Sequence, residues 1–94
     1  MNVNKIKSYV GFAIKSKSIV FGVDLIKEKK VDLIIYASSL AIASKQKLIN
    51  AAEVNKCERL ELSDEIVENL VNSSNIKAFA ITNKELAKAI INNF

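Results

Sequence analysis

The amino-acid sequence predicts an α/β sandwich with about four strands and helices on both faces of the sheet. Three observations carry that expectation. An opening helical segment is followed by four strand-then-helix units, the alternation that builds layered α/β domains. Two of the strand segments, "DLIIYA" and "IKAFAIT", are nearly unbroken apolar runs, as in strands covered on both faces. The chain has 94 residues, enough for one domain over 1–94 but short for a larger doubly wound sheet.

Each element follows in order. Residues 4–16 carry Ile6, Tyr9, Val10 and Ala13 at helical spacing and predict an amphipathic helix. "SIVF" is a short β-branched strand. Residues 23–30 predict a short helix, with Leu25 and Ile26 facing in and Lys27, Lys29 and Lys30 largely out. "DLIIYA" is the first buried strand. Residues 40–54 predict a helix with Leu48, Ala51 and Ala52 inward. In "CERLEL", Leu60 and Leu62 alternate with Arg59 and Glu61, the pattern of a half-exposed or edge strand. Ser63 is placed to cap the next helix, with Asp64 and Glu65 in its first turn and a core stripe of Ile66, Val67, Leu70 and Val71. "IKAFAIT" is the second buried strand. "TNKE" reads as a capping box of Thr82 with Glu85, opening a last helix that buries Leu86, Ile90 and Phe94. Proline is absent and glycine occurs only at positions 11 and 22, so turns rest on Asn and Ser.

The composition narrows the function classes. Half the residues are hydrophobic, which supports a packed core and argues against disorder. No apolar run approaches the ~18 residues needed to cross a bilayer, so no membrane partner is expected. The segment "MNVNKIKSYV" lacks the apolar stretch of a signal peptide, so no export is expected. Cys57 is the only cysteine and reads as a small core or strand residue of a protein in the reducing cytoplasm. Histidine is absent, which removes the usual general base and the commonest metal ligand. A magnesium site on Asp64 and Glu65 competes with their simpler role as helix-dipole partners. Gly22 belongs to no dinucleotide or phosphate-loop motif. An enzyme, a cofactor and a small-molecule substrate are therefore not expected.

Charge is unevenly spread. The net charge is +4, yet residues 1–31 carry seven lysines against Asp24 and Glu28. Residues 56–76 carry Lys56 and Arg59 against Glu58, Glu61, Asp64, Glu65 and Glu68. A basic first third points to a polyanion partner. Lys15, Lys17, Lys27, Lys29 and Lys30 flank a helix start at Gly22, Val23 and Asp24. Amides at a helix start bind anions or base edges, and glycine permits close approach. Asp24 suits hydrogen bonds from a guanine edge, although it repels phosphate. On the residues alone, a solvated lysine face with Asp24 as an early-helix acid stays open beside RNA binding. No aromatic residue interleaves the lysines, so no base-stacking platform is indicated.

"YVGFAIKS", "VFG", "LIKEKKVDLIIYAS" and "IKAFAITNKELAKAI" follow one another in an order and spacing that covers most of the chain. They resemble the kink-turn RNA-binding ribosomal protein superfamily (L-seven-Ae and L-thirty-e), nearest its small bacterial YlxQ-type branch. The resemblance implies a three-layer α/β/α sandwich with a mixed four-stranded sheet. It implies a ribosome-associated protein that binds kinked RNA, with ribosomal proteins as further partners. By resemblance, Gly22 is the RNA-contacting glycine and Asp24 stands where many members have Asn. Further contacts fall on Ala37, Ser38 and Ser39 after the "DLIIYA" strand, and on Leu62 and Ser63. The chain also departs from the family pattern. Leu25 replaces a polar position, the helix after Gly22 is about one turn shorter, and Asp64, Glu65 and Glu68 replace basic and glycine positions. An acidic helix beside the rim weakens phosphate binding. A protein-interaction module on the same fold, without specific RNA binding, is the alternative.

Overall fold

The structure is a computed structural model that describes all residues from Met1 to Phe94. Its elements run α1 (Val3–Lys15), β1 (Ile19–Phe21), α2 (Val23–Glu28), β2 (Leu33–Ala37), α3 (Ile42–Asn55), β3 (Glu58–Leu62), α4 (Asp64–Val71), β4 (Ala78–Ile81) and α5 (Lys84–Ile91). The four strands form one sheet in the order β1-β4-β2-β3. β4 is antiparallel to both β1 and β2, while β2 and β3 are parallel. The sheet is therefore mixed, and β1, β2 and β3 all point the same way.

Strand alternation divides the core in two. Leu33, Ile35 and Ala37 of β2, with Phe79 and Ile81 of β4, pack against Ile6, Val10 and Ala13 of α1, Val67 and Leu70 of α4, and Ile90 of α5. Ile34 and Tyr36, with Ala78 and Ala80, pack against Ile26 of α2 and Leu48, Ala51 and Ala52 of α3. Burial on both faces is why the two central strands are apolar at every position. This is the three-layer α/β/α sandwich with a mixed four-stranded sheet. β3 lies at the edge, and only Leu60 and Leu62 join the core. On its other face Arg59 donates to the Tyr36 hydroxyl at 3.1 Å, giving the buried phenol a partner.

Local chemistry differs from expectation at four places. α2 ends at Glu28, and Lys29 is already extended at φ −111, ψ 157. So short a helix turns one narrow stripe inward. Ile26, with Val23 one turn before it, takes the core contact, and Leu25, about 100° round the helix, is turned out and 51% exposed. α3 begins at Ile42, two residues later than expected, with Ala41 as its extended N-cap. The last helix is capped by Asn83, whose side chain accepts from the Leu86 N–H at 3.0 Å, so the Thr82–Glu85 box does not form. Thr82 is instead held to the sheet, its N–H donating to the Ser18 carbonyl at 2.9 Å. Phe94 lies beyond α5 and is exposed, while Ile90 is buried as expected, Leu86 is half-buried and Ala87 completes the inward face. Ser63 caps α4 as expected, accepting from the Ile66 N–H at 3.3 Å. No helix is long and apolar enough to cross a membrane.

Candidate nucleic-acid interface

The strand directions build one edge of the sheet from three carboxyl ends. β1, β2 and β3 end there, so Gly22, Ser38 and Leu62 come together although the sequence spaces them far apart. In open α/β sheets the carboxyl ends of strands are where ligands generally sit. Hydrogen bonds lace this rim. The Gly22 N–H donates to Ala78 at 3.0 Å, and the Ala37 N–H to Lys77 at 2.8 Å. The Ser38 N–H and hydroxyl both donate to the Leu62 carbonyl, at 2.8 and 3.0 Å. The Ser39 N–H donates to Asp64 Oδ1 at 3.1 Å.

Gly22 is the N-cap of α2 with φ 92 and ψ 145, a conformation close to glycine-only. That backbone lets β1 turn directly into α2. The first-turn amides of Val23, Asp24 and Leu25 have no carbonyl one turn back to bond. Asp24 stands beside them with its side chain 81% exposed and Lys47 Nζ 3.9 Å away. Of the expected RNA-contacting residues, the fold brings Gly22, Val23, Asp24, Ser38, Ser39, Leu62 and Ser63 to this one rim.

The lysines are elsewhere, and this corrects the expectation that they surround Gly22. A strand followed by a helix doubles back, so residues before the strand and after the helix meet at the far edge. Lys15 and Lys17 precede β1, and Lys29 and Lys30 precede β2. The Ser18 carbonyl and the Asp32 N–H are both bonded at the far end of β4, through Thr82 and Ile81. A six-residue α2 spans about 9 Å, which separates Gly22 from Lys29. Lys27 occupies the second turn between them.

The rim has its own cations, which the sequence did not signal. Lys77 Nζ lies 2.7 Å from Glu68 and 3.5 Å from Asp64. Lys45 Nζ lies 3.1 Å from Glu61. With Lys47–Asp24, these are the ion pairs of the molecule, and all lie at or beside the rim. The Lys77 partnership joins the start of β4 to α4, and only the strand order makes those neighbours. Hydrogen bonding to Ser39, then the charge of Lys77, holds the Asp64 carboxyl below its ordinary value. The hydrogen bond from Lys45 does the same for Glu61. Glu68, joined by Asp64, pushes the Lys77 ammonium up. Two apolar side chains, Leu25 and the 86% exposed Ile42, also stand at this rim. Far from it, burial first and then Asp32 and Glu58 raise the Cys57 thiol, which leaves it a poor nucleophile.

No family model matches the chain, and none of the curated proteins does. Among solved structures, a protein of unknown function from Bacillus halodurans superposes with a TM-score of 0.76 over 94% of each chain, at 15% identity. At that identity the likeness establishes the fold alone.

Proposed function

We propose that this domain is a cytoplasmic, ribosome-associated binding protein for structured RNA, with kinked RNA as the preferred ligand and no catalytic step of its own. The observation that carries the reading is convergence. Three segments that the sequence resemblance assigns to RNA contact, around Gly22, Ser38–Ser39 and Leu62–Ser63, share one rim. Free first-turn amides and the exposed Asp24 carboxylate supply donors and an acceptor for a base edge there. Reading would come from base contacts, since the rim lysines Lys45 and Lys77 are held by carboxylates.

The test is fluorescence polarisation with a labelled kink-turn RNA and a matched straight duplex, at low and near-physiological salt. Tighter binding of the kinked RNA at the higher salt is expected. Equal binding of both, erased by salt, would overturn kink recognition.

One observation favours a second reading. Leu25 and Ile42 are solvent-exposed apolar groups on a rim whose lysines are paired with carboxylates. Such a surface suits a protein partner, ribosomal proteins included. That module would show no preference for kinked RNA and would lose its partner in a Leu25→Asp/Ile42→Asp variant.

A further inference from the structure

A groove of about 460 Å³ lies between the end of α2 and α3, lined among others by Lys27, Lys29, Lys30, Lys47 and Asn50. Glu28 is its only carboxylate. We infer that this groove is a phosphate-binding channel that seats the backbone of an RNA strand, separate from the base-reading rim at Gly22. The inference rests on the RNA-binding reading above and adds where the phosphates go.

Four features support it. First, Lys27, Lys29 and Lys30 have no carboxylate within ion-pair distance, unlike the rim lysines. Lys47 has only the long 3.9 Å contact to the exposed Asp24, so a phosphate can take it at little loss. Second, α2 and α3 both start at the carboxyl ends of parallel strands and run the same way. The groove between them therefore leads from the rim toward Lys29 and Lys30, and a strand held at Gly22 continues along it. Third, its floor is fixed. Asn55 accepts from the Val31 N–H at 3.1 Å and donates to Ala51 at 2.8 Å, tying the loop after α2 to the end of α3. Fourth, the Asn50 carbonyl oxygen accepts from Gln46 at 3.0 Å, which leaves its amide N–H groups as donors for a phosphate oxygen. A single lysine is enough to complement the carboxyl end of α2, and here three converge with a fourth from α3. The groove is open along its length, so it suits a polymer backbone rather than an enclosed nucleotide.

The test measures polarisation of the kinked RNA and the straight duplex across a salt series. Three proteins are compared: wild type, Lys27→Gln/Lys29→Gln/Lys30→Gln, and a control, Lys5→Gln/Lys84→Gln/Lys88→Gln. All six side chains are exposed, so both triples keep the core intact. The two triples lose equal charge, and the control positions lie on α1 and α5, across the sheet. The groove triple is expected to flatten the slope of log affinity against log salt by about 2 on both RNAs. The control is expected to leave the slope as in wild type. Equal flattening by both triples would overturn the channel in favour of bulk charge. An unchanged slope in the groove triple, with kink preference intact, would overturn the channel alone. Failure of wild type to bind either RNA at low salt would overturn the RNA reading and the channel with it.

Discussion

The two glycines are chemically identical and do opposite things. Gly22 sits at φ 92, ψ 145, and a β-carbon there would meet nothing within 4 Å. Its requirement for glycine is purely conformational. Gly22→Ala is expected to cost about 1–3 kcal/mol, read as a lower denaturation midpoint with an unchanged slope. Gly11 lies inside α1 and also faces open space. Gly11→Ala is expected to stabilise by about 0.5–1 kcal/mol, because it removes backbone freedom from the unfolded chain and clashes with nothing. A stabilising Gly22→Ala would mean that β1 enters α2 by another backbone path. Leu25 shows the limit of reading single residues. An apolar side chain next to Ile26 looks like core by composition, yet the inward stripe of this six-residue helix is Val23 and Ile26, and Leu25 falls outside it.

Helix ends decide what the elements can do. Ser63 was legible as a cap because a lone serine precedes an acidic first turn and an apolar stripe. The start of α5 was not, because Thr82 and Asn83 are both good caps and sequence does not choose between adjacent ones. The sheet chooses: the Thr82 N–H is bonded to Ser18, which keeps Thr82 in line with β4 and hands the cap to Asn83. Asn83→Ala is expected to cost about 1 kcal/mol and Thr82→Ala much less, measured as the difference in chemical-denaturation free energies. The reverse order would restore the capping box. The same reasoning explains α2, where three lysines at the end of a helical pattern gave no stop signal and only the extended Lys29 shows where the helix ends.

At the scale of the molecule, charge is sorted by sheet edge. The rim at Gly22 carries the paired charges, and the unpaired Lys15, Lys17, Lys29 and Lys30 lie toward the opposite edge. The clamp of Lys77 on Asp64 and Glu68 fixes the rim, and its sign with pH follows from the shifts. A carboxylate held below its ordinary value stabilises the fold above that value and loses the effect as pH falls through the depressed one. A lysine held above its ordinary value stabilises the fold below that value and loses the effect as pH rises through the raised one. Asp64→Asn is therefore expected to melt earlier than wild type at neutral pH. The gap should close as pH falls below the ordinary aspartate value of about 3.9. A constant gap from neutral pH to well below that value would overturn the clamp.

By itself the sequence determined the elements, their layers and the two buried strands. Those follow from local periodicity: a period of two or of 3.6 places side chains on faces without reference to the rest of the chain. It also located the glycine on which the rim depends and the lysines of the first third. What only the tertiary structure decided is which of these residues meet. The strand order β1-β4-β2-β3 brings Gly22, Ser38 and Leu62 together and sets Lys77 against α4. The doubling-back of β1 and α2 carries Lys17 and Lys29 away from the glycine they flank in sequence. Such contacts depend on how separate segments pair and cross, and no local spacing encodes that.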